Sequence, residues 1–460
     1  MGRVAEDELH QEVAGMGPAS RQQAPQPPPR HQATWCLPWS GTNKVMVSSL
    51  KRSLTLSDAI MIGLGSMLGA GIFVAVAPAT AHAGSGIYIA LGLAALVALC
   101  NATSSGQLAA QYPVAGGTYA YGRAQLGPAW GLTAGWAFLL GKTTSAAAMA
   151  MTFAHYALPG APPLMLSCAA ALALIALTTV NILGVSKTAT VTKVIVLIVL
   201  AGLALFVATS WLSTPAEVAA PSASYLPSAP LGILQGAGIL FFAFAGYARV
   251  ATLGEEVTNP TRTIPRAIMW ALGLTFVVYV VITFTLTHML DQETLAQSTA
   301  PIFDAVQVPW MKLVVQVVAA LACLGALLGL MAGLGRTCLA MARDSRHFTF
   351  FAHVSERHST PARAEILFCV LAIILVFSVD VTQAVGFSST GVLLYYAIAN
   401  LAAFTQDREH RMYPKALQVL GVVLCVAIGF TVSLPGLLLG AGAAVVIAGV
   451  ALVSHRRGRS

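Results

Sequence analysis

The sequence predicts an all-α membrane protein of about twelve transmembrane helices, and three observations carry that prediction. Runs of roughly 20 apolar residues, the length that crosses a ~30 Å hydrocarbon core as helix, follow one another from Leu54 to Val453. Of 460 residues 57% are hydrophobic and 9% charged, with mean hydropathy +0.76, where a soluble domain is about a quarter charged. The basic residues are also sided. If Lys51 and Arg52 face the cytoplasm, Lys312 alone falls on the other side, Lys142 and Arg249 lie deep within spans, and the rest of the 25 Lys and Arg fall in the tails and even-numbered loops.

The spans read as 57–80, 85–108, 127–156, 163–183, 190–211, 230–254, 265–289, 311–335, 364–381, 386–404, 416–432 and 434–453. Stretches such as 192–211 are apolar without interruption, which excludes the dyad alternation of an outer-membrane barrel. Residues 1–45, rich in Pro, Gln and Gly, are too polar to bury a core and read as a disordered tail. Met46 offers an alternative start. Of seven cysteines, six lie in or beside spans and Cys36 in the tail, a distribution of small packing residues rather than disulfides. The net charge of +8 follows from the sided basic residues and implies no nucleic-acid partner.

Two spans are poorly built as continuous helices. The first carries Gly63, Gly65, Gly69 and Gly71 in IGLGSMLGAGIF, and the sixth carries FFAFAGYAR over 241–249. Close helix packing could account for either alone. Their separation by five spans, at equivalent places in spans 1–5 and 6–10, points instead to an inverted repeat with discontinuous helices. A helix interrupted at mid-membrane frees N–H groups at one end and C=O groups at the other, a match for a zwitterion. The amides of Gly69, Ala70 and Gly71, beside Met67, would hold a carboxylate with help from the helix dipole. Carbonyls near Phe241, Phe242, Phe244 and Gly246 would take an ammonium.

These residues resemble the amino acid–polyamine–organocation superfamily, and within it the cationic-amino-acid-transporter-like permeases. GSMLGAGIF (65–73) looks like the family's unwound first helix and YPVAGGTYAYGR (112–123) like its loop before the third. Most specific is the Glu-Glu-x-x-Asn-Pro-x-Arg-x-Ile-Pro-x-Ala-Ile grammar within 241–268, and GRTCLAMARD (335–344) is similar to the segment after helix eight. The resemblance implies a five-plus-five inverted repeat, about 54–211 and 229–404, within a core of 46–404. Helices 11 and 12 over 405–453 and a tail over 454–460 would follow. It also implies secondary transport of amino acids by alternating access, as symporter, exchanger or uniporter, in a cell membrane with both termini cytoplasmic.

Departures from the family sharpen the expectation. Some relatives keep a lysine in helix five that mimics sodium; here Val199 stands there, and Lys193 lies nearer the cytoplasm, where it reads as a snorkelling interfacial lysine. Span eight has no Ser, Thr or Asp over 312–335, which argues against a sodium site made of side-chain oxygens. Lys142, midway along span three, is the coupling candidate: it could exchange a proton, replace a missing sodium, or bond carbonyls left by the broken helices. A fixed cation there favours a neutral or acidic amino acid. Where several relatives carry a carboxylate just after the sixth-helix break, this chain has Ala248, followed by Arg249, an intramembrane guanidinium read either as a gate or cargo contact or as an arginine that reaches the cytoplasmic vestibule or pairs with Glu255 or Glu256. Glu255, Glu256, Arg262, Arg336 and Arg343 are candidates for an ion-pair network at an inner gate. Ser388, Ser389, Thr390, Tyr395 and Tyr396 could line the opposite wall, or bond their own backbone.

An enzyme would need intramembrane nucleophiles or ligands, and no His-x-x-x-His, paired Asp, Gly-x-Ser-x-Gly or nucleotide-binding loop occurs. The expectation is therefore a transporter rather than an enzyme, without cofactor, metal or obligate protein partner, in contact with an amino acid and the lipid bilayer. An amine or polyamine carrier, or an amino acid exporter, is the alternative.

Overall fold

In lipid every backbone amide and carbonyl must find a partner within the chain, and the described residues meet that demand almost entirely with helices. The computed structural model describes residues 52–114, 116–184, 189–213, 229–254, 256–344, 349–355 and 360–432. The expected tails over 1–45 and 454–460, the twelfth span over 434–453, Met46 and Glu255 lie outside the described residues.

In chain order the helices are α1 (Leu56–Met67), α2 (Ala70–Val74), α3 (Val76–Ala83), α4 (Ile87–Gln111), α5 (Thr118–Leu126), α6 (Pro128–Ala157), α7 (Pro163–Ile182), α8 (Ala189–Ser213), α9 (Pro230–Phe244), α10 (Ala248–Ala251), α11 (Pro260–Met289), α12 (Gln292–Gln297), α13 (Pro301–Asp304), α14 (Pro309–Arg343), α15 (Ala362–Ser378), α16 (Val381–Phe404) and α17 (Lys415–Val432). Helices α6, α7, α9, α11, α13 and α14 begin on proline, whose fixed φ suits the first turn and whose missing N–H costs nothing there. Before Pro260 the chain turns through Asn259 at φ 50°, a left-handed position that asparagine tolerates. At α1, Thr55 and Asp58 form a reciprocal capping box.

Eleven of the twelve expected spans coincide with helices. Taking α1 with α2, α3 with α4 and α9 with α10, nine rods among the described residues are long and apolar enough to cross a membrane. Helix α15 has 17 residues, and α6 carries Lys142 among many small and hydroxyl side chains; neither stands out by hydropathy. Several boundaries differ from the sequence reading, with α11 and α16 each beginning five residues earlier than expected. Helix α14 runs on to Arg343, and the expected loop over 112–123 turns helical at Thr118. That turn follows two left-handed glycines, Gly116 and Gly117, and the Thr118 amide donates to the Tyr395 hydroxyl at 3.0 Å.

Helices α1–α2, α9–α10 and α16 form the centre: 61, 67 and 72% of their apolar stretches are buried, against 28% for α7, α8 and α17. Lipid tails offer no hydrophobic drive between helices, so close contact comes from small residues. Gly141 of α6 meets Gly391 of α16 backbone to backbone.

Both expected interruptions are present. Helix α1 stops at Met67, the chain turns out at Gly69 (φ −70°, ψ −136°), and α2 restarts at Ala70. Helix α9 stops at Phe244, passes through one 3-10 turn over Ala245–Tyr247 and resumes as α10. The breaks pack against each other. A Cβ on Gly71 would lie 2.5 Å from Cα of Ala243, and one on Gly246 would overlap the Ser66 carbonyl. Gly246→Val should therefore destabilise the purified protein by about 1–3 kcal/mol through overpacking, whereas Gly273→Ala, on α11 with nothing near its added methyl, should stay within about 1 kcal/mol of wild type. Melting temperatures in detergent check the ranking; equal values for both would contradict the packing of the two breaks.

Candidate functional site

Where two helices break side by side, their loose carbonyls need donors. The Tyr279 hydroxyl on α11 stands 2.6 Å from the Met67 carbonyl and 2.9 Å from the Ala243 carbonyl, so one side chain spans both breaks. Its ring meets Phe244 edge-on at 4.8 Å. Lys142 Nζ donates to the Ala245 carbonyl at 3.2 Å, and Lys142 is only 6% exposed. The Ala245 amide donates back to the carbonyls of Phe241 and Phe242. In this conformation the carbonyls expected to meet an ammonium are thus closed off within the 3-10 turn, or held by Lys142 and Tyr279.

The sequence-predicted cargo residues are brought together. Met67, Ala70, Gly71, Phe241, Phe242 and Phe244 are all buried around the two breaks, with Gly246 against Ser66 and Gly69 against Ala326 of α14. Phe241 meets Tyr396 edge-on at 5.9 Å. The second wall is partly tied up: Ser388 bonds Ser145 of α6, Thr390 donates to the Gly386 carbonyl, and Tyr395 accepts from Thr118.

A cavity of about 200 Å³ lies on the face where α1 begins, between α1, α8, α14 and the segment from Arg249 to Glu256. It reaches Ser66 and Leu68 and stops at the first break; Gly69, Ala70 and Gly71 do not line it. Tyr156 donates its hydroxyl to the Phe73 carbonyl at 2.8 Å and accepts the Ile302 amide at 3.3 Å.

Of the gate candidates, Glu256 and Arg336 pair at 3.1 Å on the cavity wall. Arg249 lines the same cavity and donates to Thr252 Oγ1 at 3.3 Å rather than to an acid. Arg343 ends α14 exposed, and Arg262 is exposed on α11. Sequence reasoning missed the other partners. Arg123 pairs with Asp344, which also accepts the Tyr119 hydroxyl at 2.6 Å. Burial, then the Asp344 carboxylate, push the Tyr119 hydroxyl well above its ordinary range, so it remains a donor. Arg123 and Asp344 both stood in motifs already singled out, but nothing in one sequence pairs residues that far apart. Lys193, read as a snorkelling lysine, pairs with Asp58 at 2.7 Å and ties α8 to α1. The chain entering α1 is pinned too, with the Ser53 and Leu54 amides donating to the Glu256 carbonyl at 3.0 Å each. The exposed pairs are worth only about 0–1 kcal/mol each.

The comparisons agree with this architecture. Residues 54–453 match the amino acid permease family. An uncharacterized transporter of Mycobacterium tuberculosis is 46% identical over 411 residues, 89% of this chain and 92% of that one. The mitochondrial cationic amino acid transporter 3 of Arabidopsis thaliana is 28% identical over 382 residues, 77% of this chain and 62% of the relative. The branched-chain amino acid permease BcaP of Bacillus subtilis is 25% identical over 400 residues, 81% of this chain and 85% of the relative. Among solved structures, MhsT in complex with L-phenylalanine superposes with a TM-score of 0.59 at 15% identity, covering 83% of this chain and 100% of that one. The chain belongs to the amino acid permease family, as a multi-pass membrane permease of the amino acid–polyamine–organocation superfamily.

Proposed function

We propose that this chain carries neutral or acidic L-amino acids across a cell membrane by alternating access, as a secondary transporter with both termini in the cytoplasm. The observation that carries the reading is the pair of helix breaks packed on each other, with a cavity that reaches the first of them from one face, while on the other side Tyr156 ties α6 to α2 and α13. In this reading the amides of Gly69, Ala70 and Gly71 take the cargo carboxylate, and the carbonyls around Phe241–Gly246 take its ammonium once the 3-10 turn opens. The cavity is the inner vestibule. Glu256–Arg336 belongs to the inner gate, for which Glu255 and Arg343 remain candidates, and Arg123–Asp344 supports the same face.

Cargo class follows from the fixed charges. Lys142 at the sixth-helix break and Arg249 in the vestibule repel a second cation, so a neutral cargo such as the branched-chain amino acids named for BcaP, or an acidic one, fits better than a polyamine or the cationic amino acids named for other relatives. Lys142 is the candidate for coupling to protons. Exchange or uniport needs no such role, and an export direction changes none of these contacts.

Purified protein in liposomes should take up leucine or glutamate at least tenfold faster than arginine or putrescine; preferential arginine uptake would overturn the cargo assignment, and no uptake of any amino acid the transport reading itself. Replacing Lys142 by Ala should abolish the dependence of uptake on an imposed proton gradient. Unchanged rate and unchanged pH dependence would leave Lys142 as a structural donor to Ala245.

A further inference from the structure

Glu365 stands in the first turn of α15 and is 2% exposed, yet nothing described so far uses it. Its side chain packs on α14 at Gly335, where an added Cβ would lie 2.8 Å from its Cγ and 3.2 Å from its Oε1. Its Oε2 has no hydrogen-bond partner among the described residues. The charged group within its electrostatic reach is Arg336, the residue after Gly335, and the Arg336 Nη1 is given to Glu256 at 3.1 Å.

Among the described residues, the other neighbouring elements supply no counter-charge. Helix α7 has no ionisable side chain except Cys168, which is exposed. On α6, Lys142 donates to the Ala245 carbonyl and His155 bonds the Met151 carbonyl. On α14, Arg343 is exposed and Cys338 is a buried thiol. On α15 itself, Arg363 donates to the Phe350 carbonyl at 3.1 Å and Cys369 is a buried thiol. Two acids thus flank one guanidinium, and only Glu256 holds it. A carboxylate enclosed without counter-ion or donor is strongly unfavourable, whereas the neutral acid is accommodated.

We propose that Glu365 is a proton-binding site of the transport cycle, loaded and emptied as Arg336 passes between Glu256 and Glu365. When Glu256 lets go, Arg336 turns to Glu365, the carboxyl O–H bond breaks, its proton leaves to water of the vestibule, and the carboxylate remains paired with the guanidinium. On return, Glu365 takes a proton from that water and Arg336 goes back to Glu256. Charge balances on both strokes. The inference rests on the transport reading and adds a proton site beside Lys142, one that the rim ion pair controls directly.

The test needs no cargo. In purified protein in lipid nanodiscs, infrared difference spectroscopy follows the carbonyl stretch of a buried protonated carboxyl while the pH is raised. Wild type should show such a band and lose it on titration, and Glu365→Gln should lack it. In Glu256→Gln, where Arg336 is free to turn, the band should vanish about one pH unit or more lower than in wild type. A band that survives Glu365→Gln, or a titration unmoved in Glu256→Gln, would overturn the proposal, as would its absence from wild type; if Glu365→Gln fails to fold, the Glu256→Gln arm decides alone. Leucine and glutamate counterflow, run on the same wild-type preparation, reports separately: no counterflow with an intact band counts against the transport reading and not against this site.

Discussion

The structure depends on one constraint, that a main-chain carbonyl exposed by a broken helix cannot stay unpaired inside a membrane. Two helices break here, side by side, and two donors from other helices close the gap: the Tyr279 hydroxyl between Met67 and Ala243, and the Lys142 ammonium on Ala245. A hydroxyl has one hydrogen, so Tyr279 satisfies one carbonyl at a time and leaves the other as an acceptor. That arrangement holds the breaks together without locking either. The glycines serve the same contact by letting the two backbones approach where any side chain would collide.

From this centre outward the contacts weaken, and their weakness has a use. Backbone-to-backbone packing of Gly141 on Gly391 fixes α6 against α16, a rigid body with little reason to move. The pairs at the rim, Glu256–Arg336, Arg123–Asp344 and Lys193–Asp58, are partly exposed, and each can be broken at small cost. Helix α1 is tied at its start to α8 by the Lys193–Asp58 pair and to the segment after α10 by the Ser53 and Leu54 amides on the Glu256 carbonyl, so α1 and the sixth-helix region are the elements best placed to move together.

Much of this was legible in the sequence. Eleven spans, both interruptions and the convergence of Met67, Gly69, Gly71, Phe241 and Gly246 follow from apolar run length and from glycine where a helix would not choose it, while the place of Lys142 beside them came from the family resemblance. What escaped was pairing across long separations. Tyr279 looks like any aromatic on an apolar helix, Glu365 like the acidic first turn of a helix, and Asp58 like a cap; only their neighbours make them more. The 3-10 turn at Ala245 was also hidden, because glycine marks a break without saying whether the freed carbonyls are open or already engaged.

The most direct test of the account removes the oxygen that spans the two breaks. Tyr279→Phe keeps the ring against Phe244 and deletes only the hydroxyl, leaving a buried carbonyl without its donor. Equilibrium unfolding of the purified protein should show a loss of about 1–3 kcal/mol. A Tyr279→Phe protein as stable as wild type would contradict the claim that this bond holds the broken helices together.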